Sequence, residues 1–208
     1  MDKKITNNQV VVGGTITKEF EFNNELFGEK FYITTVSVKR TSGAEDLIPI
    51  MVSERLVSVN EEWTGTFVAA SGQFRSYNMH ENEKNRLILS VFAREFEVLE
   101  KEENINKIFL DGFLVKPPIY RGTPLGREIT EILLAANRPY GKSDYIPCII
   151  WGRNARFASG FEVGTHLMIN GRIQSREYTK CYPDGTEETR IAYEVSVSRV
   201  EEIGKTEE

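Results

Sequence analysis

The segment DYIPCIIWGRNA, residues 144–155, reads as a strand with large apolar side chains on both faces. Successive side chains of a strand point to opposite sides, so Ile146, Cys148 and Ile150 share one face while Tyr145, Pro147, Ile149 and Trp151 share the other. One face is core. The other carries two rings, Tyr145 and Trp151, six positions apart and therefore on one surface. In the next strand-like segment, HLMINGRIQSREY, Arg172, Gln174, Arg176 and Tyr178 share a face opposite Leu167, Ile169 and Ile173. Ring faces stack on flat groups and guanidinium groups neutralise phosphates. The chemistry is non-covalent: rings to hold bases and cations to track the backbone of an unpaired polynucleotide. The competing readings are a packed core tryptophan and solvated surface arginines.

Nothing in the sequence adds a catalytic constellation. There is no Gly-rich phosphate loop, no serine or cysteine nucleophile with a histidine partner, and no carboxylate pair in a motif context. HENE, residues 80–83, reads as a solvated hairpin loop, with no further ligands to make it a metal cluster. Cys148 lies on a core face and Cys181 in a polar loop, and neither is at ligand spacing with the two histidines. Two free thiols, no catalytic residue, no metal and no cofactor are expected.

Composition bounds the class. Hydrophobic content of 40% and charged content of 27% over 208 residues are those of a globular protein of one large or two smaller domains. No apolar run reaches the roughly 18 residues needed to span a bilayer, and MDKKITNNQVVVGG lacks a secretory pattern, so a cytoplasmic protein without membrane partners is expected. The net charge of -5 argues against a simple basic polyanion binder, but its distribution is uneven. Residues 1–105 hold 12 Lys+Arg against 17 Asp+Glu, and residues 106–208 hold 14 against 14. Without the terminal EEIGKTEE the second half holds 13 against 10.

The chain is internally duplicated. Asn8, Gly14, Lys18, Gly28, Gly43, Asp46 and Pro49 recur 98 positions later as Asn106, Gly112, Lys116, Gly126, Gly141, Asp144 and Pro147. Gly65 and Gly72 recur 99 positions later as Gly164 and Gly171, and Arg86 matches Arg190 at 104. The charged EKEEN, residues 100–104, suits a linker, which divides the chain into 1–104 and 105–208. Each half reads as five strands. In the second these are KIFLDGFLV, ITEILLAANR, YIPCIIWG, HLMINGRIQSREY and RIAYEVSVSRVEEI, with a short helical segment in NARFASGFEVG between the third and fourth. This order predicts an all-β chain of two tandem five-stranded OB-fold barrels, with a five-strand sandwich as the alternative. Gly112 and Gly171, placed inside strands, mark barrel corners and favour the barrel. Phe109 and Phe113 are expected outside the barrel, toward a subunit interface.

From Asn106 onward, NKIFLDGFL, Pro118 with Gly126, LAANR, DYIPCIIWGRNA, NGRIQSREY and RIAYEVSVSRV follow one another in an order that resembles the bacterial single-stranded DNA-binding protein family. The likeness runs over nearly all of residues 106–203. It implies Tyr140, Tyr145, Trp151 and Tyr178 as residues that stack on bases; all four are aromatic here. Arg138, Arg153, Arg172 and Arg176 are the local candidates for phosphate contacts. Lys180 and Tyr182, in the TKCYPDGTEET hairpin loop, are further candidates, opposed by Glu187 and Glu188.

The first half holds Ser42, Leu47, Ser53 and Met79 at the four aromatic positions, and Tyr77 only at a shifted one. It reads as a structural or oligomerising copy. The resemblance further implies a largely sequence-independent single-stranded DNA binder serving replication, recombination and repair, assembled as a homodimer with four OB domains. Family members end in a long flexible tail with an acidic tip, whereas this sequence stops at EEIGKTEE, which argues against recruitment of replication proteins by that route. Two alternatives stand: a primosome or replication-restart accessory factor, and an OB-fold adaptor that binds protein and no nucleic acid.

Overall fold

A computed structural model describes residues 7–81, 84–123, 125–182 and 185–204, with 79–81 and 84–86 described by backbone alone. Asn82 and Glu83 of the HENE segment, Pro183 and Asp184 of the hairpin loop and the terminal residues 205–208 lie outside the described residues. The first half forms β1 (Asn8–Ile16), β2 (Glu21–Leu26), β3 (Glu29–Lys39), β4 (Glu45–Ser53), β5 (Phe67–Glu81) and β6 (Lys84–Val98). The second repeats the order with β7 (Ile105–Leu114), β8 (Ile119–Gly122), β9 (Glu128–Asn137), β10 (Ser143–Trp151), α1 (Arg153–Ala158), β11 (His166–Cys181) and β12 (Glu187–Glu202).

Five strands of each half close on themselves. The order β3-β4-β6-β5-β1 returns through a β3–β1 pairing, and β9-β10-β12-β11-β7 returns through β7–β9. Both barrels include one parallel step, β4 with β6 and β10 with β12. The sandwich alternative is thereby excluded. The strands β2 and β8 are additions to the sequence reading. Each pairs only with the strand that follows it, so the two form outer arms and leave the barrel count at five.

Alternation builds each interior. Ile146, Cys148 and Ile150 of β10 point inward with Leu167, Ile169 and Ile173 of β11 and Val195 and Val197 of β12, all buried. Each such aliphatic side chain contributes about 1.5–3 kcal/mol through removal from water. The predicted helical segment is one short helix, α1, whose Ala155 and Ala158 are buried against the second barrel. The first barrel uses an aromatic plug instead: Trp63 lies edge-on to Phe20 at 5.4 Å and Phe96 at 5.9 Å and donates its indole N–H to Ser58 O at 2.9 Å.

The strand glycines stand where two backbones cross. A Cβ on Gly171 would meet the carbonyl oxygen of Ser196 in β12, and Gly171 sits at a β-bulge in the β11–β12 ladder. Its counterpart Gly72 has the same collision with Phe92 O and the same bulge. Gly171→Ala is expected to destabilise the fold by about 1–3 kcal/mol, since backbone must move to admit the methyl. The control Gly160→Ala, whose Cβ meets nothing nearer than Phe157 O at 3.7 Å, should leave the urea unfolding midpoint close to wild type.

Candidate nucleic-acid interface

The two barrels share one twelve-strand sheet because β1 and β7 pair antiparallel, from Asn8 opposite Leu110 to Gly13 opposite Ile105. The duplication makes this junction a pseudo-twofold. Asn8 exchanges two hydrogen bonds with Phe74, Nδ2–H to O at 2.8 Å and N–H to Oδ1 at 2.9 Å. Asn106 does the same with Ile173 at 2.7 and 2.8 Å. Across the junction, Asp46 accepts from Ser175 N–H at 2.9 Å and Leu47 N–H donates to Ser175 Oγ at 2.9 Å. In the mirror relation Asp144 accepts from Ser76 N–H at 2.6 Å and Tyr145 N–H donates to Ser76 Oγ at 2.7 Å.

This arrangement reassigns two of the four candidate arginines. Arg138 pairs through Nε and Nη2 with Asp144, whose side chain is only 2% exposed, and also donates to Ser76 O at 2.9 Å. Arg172 donates to Asp46 at 3.0 Å and to Gln174 at 3.2 Å, while Arg40 holds the same Asp46 carboxylate. Burial, and then the nearby Arg40, lower the Arg172 pKa, against the opposing pull of Asp46. Both guanidinium groups are thus already engaged by carboxylates. Buried aspartates hold these guanidinium groups at the junction because such carboxylates need charged, hydrogen-bonding partners. The signal was present: Arg40 and Asp46 recur as Arg138 and Asp144 at the same 98-residue offset.

The remaining candidates are on the surface. Tyr140 is 99% exposed on the single 3₁₀ turn Pro139–Gly141, with a left-handed φ of 63°. Tyr145 is 44% exposed and Tyr178 37%. Trp151 is half-buried, with its indole N–H donated to Ser196 Oγ at 3.2 Å, and borders hollows on both sides. One, of about 280 Å³, is lined by Arg121, Ile129, Glu131, Ile149, Gln174, Arg176 and Glu194. The other holds Arg127, Glu128 and Arg156. Arg176 and Arg153 are exposed, and among the described residues neither has an ion-pair partner. Arg176 lies 5.9 Å from the centre of the Tyr178 ring. The acidic residues at this groove are partly matched: Glu131 pairs with Arg121, and Glu194 accepts from Gln174 at 2.5 Å.

The rings thus fall into two groups. Trp151 and Arg176 line the groove of the second barrel, and Tyr178 lies beside Arg176. The Tyr145 backbone is hydrogen-bonded to Ser76, and Arg138 lines a separate groove of about 560 Å³ in the first barrel. The sequence reading placed all of them on one sheet; it missed that the junction divides them. It also missed the arm residues Tyr120 and Leu125, both exposed. Tyr120 O–H donates to Glu128 at 2.7 Å, and Glu128 in turn accepts from Arg156. Among the described residues no group of three or more His, Cys, Asp or Glu could hold a metal ion, and no helix is long and apolar enough to cross a membrane. Phe113 is exposed on the outer sheet face, stacked on His166 at 4.6 Å.

Closed five-strand barrels with the parallel step, joined edge to edge, make this a tandem OB-fold chain. Residues 105–203 match the model of the single-strand binding protein family. It is 35% identical over 81 residues to the single-stranded DNA-binding protein 2 of Listeria innocua, covering 36% of this chain and 51% of that protein. Against the single-stranded DNA-binding protein A of Bacillus subtilis it is 33% identical over 81 residues, covering 36% and 47%. The chain spans about half the length of these relatives. The crystal structure of the wild-type single-stranded DNA binding protein from Thermus aquaticus superimposes with a TM-score of 0.76 at 20% identity, covering 96% of this chain and 94% of that one. That likeness extends the shared fold across both barrels.

Asp144→Ala should cost about 3 kcal/mol of stability, because it leaves the Arg138 guanidinium and the Ser76 N–H without their acceptor at a buried site. Urea unfolding measures this. A midpoint equal to wild type would remove the junction role assigned to the pair.

Proposed function

We propose that this chain binds single-stranded DNA with little sequence preference, chiefly through residues 105–208, and serves replication, recombination and repair. The observation that carries the reading is Trp151. It lies on the outer face of a strand whose inner face, Ile146, Cys148 and Ile150, is fully packed, and it borders a groove containing Arg176, which has no ion-pair partner among the described residues. Bases stack on Trp151 and Tyr178, with Tyr140 and Tyr145 extending the surface toward the junction. Arg176 and Arg153 neutralise phosphates. Each stacked base contributes about 1–3 kcal/mol, a magnitude that comes from proteins of this class.

Residues 1–104 brace this surface through the shared sheet. A homodimer would bring four barrels together, with the exposed outer sheet face around Phe113 as the surface between copies. The proposed location is the cytoplasm.

Tryptophan fluorescence during titration with oligo-dT tests the proposal. Quenching is expected at low salt, weakening as salt rises with a log–log slope of about -0.7 per phosphate contacted. Trp63 is buried in the first barrel and contributes little to the signal. Trp151→Ala should lose the quenching and bind roughly 5- to 150-fold more weakly by anisotropy. No binding at any salt would overturn the reading in favour of a protein-binding adaptor.

A further inference from the structure

The twelve-strand sheet ends in the two arms, β2 at one end of its order and β8 at the other. Each pairs on one side only, so each presents an edge of unpaired backbone donors and acceptors. No residue of β2 or β8 is buried. Phe22, Leu26 and Phe27 stand exposed on the first arm, and Ile119, Tyr120 and Leu125 on the second. Apolar side chains on an open strand edge mark a contact surface.

The tip of the first arm is conformationally expensive. Leu26 and Glu29 pair across the two-residue turn Phe27-Gly28, in which both residues are left-handed, with φ of 52° and 77°. Such a turn takes asparagine or glycine readily, whereas a bulky ring at positive φ is disfavoured. Phe27 is 99% exposed, so no packing within the chain offsets that cost. Its counterpart 98 positions on is Leu125, 85% exposed. Both arms thus carry a large apolar side chain into water at their tips.

Charge sets the two arms apart. Residues 18–30 hold 2 Lys+Arg against 4 Asp+Glu, and the equivalent residues 116–128 hold 3 against 1. The arms therefore carry net charges of -2 and +2. Some of these groups are used within the chain. Glu19 accepts from the Trp63 and Thr64 backbone and Glu29 from Ser53, while Arg156 and Arg121 match Glu128 and Glu131. Glu21 and Glu25 on the first arm and Arg127 on the second are exposed, without an ion-pair partner among the described residues. Two first arms brought together would set glutamates against glutamates. A first arm against a second arm joins opposite charges and apolar tips, and a second copy of this chain supplies that complement.

We propose that copies of this chain associate head to tail, the acidic arm of one packing against the basic arm of the next, with Phe27 and Leu125 buried in the contact. The contact uses different surfaces on its two sides, so every copy added leaves one arm of each kind free and association does not stop at two. It is separate from the outer sheet face around Phe113.

Sedimentation velocity without DNA tests this. The mean sedimentation coefficient of the wild type should rise with protein concentration past that of a dimer, and the rise should shrink as salt goes from about 0.05 to about 0.5 M. Phe27→Asn, which suits the left-handed turn and so retains the fold, and Leu125→Asn should each self-associate about 10-fold or more weakly. Anisotropy of labelled Phe27→Asn titrated with unlabelled Leu125→Asn should recover wild-type affinity, because the first variant keeps an intact second arm and the second an intact first arm. A wild type that saturates at two copies or fewer overturns the proposal. So does wild-type self-association of either variant, or a mixture that associates no more tightly than each variant alone.

Discussion

The antiparallel pairing of β1 with β7 is the constraint on which the molecule depends. Strand pairing at an exposed edge consumes backbone donors and acceptors that would otherwise face water or another chain. Here it fuses two closed barrels into a single sheet. Around it the duplicated residues act reciprocally: Asn8 and Asn106 satisfy the backbone at Phe74 and Ile173, and Asp46 and Asp144 reach from each half to the backbone of the other. Carboxylates so deeply buried are tolerable only with charged and N–H partners, so Arg40, Arg138 and Arg172 are held in place by the same requirement.

The exposed rings and cations are consequently arranged by the junction as much as by the barrels. The side chains available to a ligand are those the junction does not use. Arg176, Arg153, Tyr140, Tyr145 and Tyr178 are exposed on the second half and Trp151 is half-buried beside a groove, while Arg75 and Tyr77 line the counterpart groove. The acidic residues are unevenly placed: Glu131 and Glu194 line the groove of the second barrel, each with a hydrogen-bonding partner, and among the described residues no carboxylate lines that of the first. Glu19 illustrates this: it caps the Trp63 and Thr64 backbone N–H groups, which lower its pKa, and is not part of either groove.

Much of the fold was legible because a period-two pattern fixes which face of a strand is buried. DYIPCIIW could be oriented from residue types alone, and glycines inside strands announced close backbone crossings that the structure shows at Gly112 and Gly171. The arms β2 and β8 were not legible, since EFNNEL and IYRG have little apolar alternation and bury almost nothing. The engagement of Arg138 and Arg172 at the junction was not legible for a related reason. Exposure of a long cation depends on what lies across a tertiary junction, and no local pattern reports that Arg138 meets a buried aspartate six residues away and a serine of the other barrel.

Fusion of the two barrels through β1 and β7 has an evolutionary consequence. In an assembly of identical chains every substitution appears in both members, so the two crossings between barrels must stay equivalent and a bound strand gains nothing by running one way. Within one chain each copy drifts separately. Tyrosines on one side and Ser42 with Leu47 on the other are the trace of that freedom. An inequivalent pair of crossings gives the molecule a polarity that a pair of identical barrels would lack.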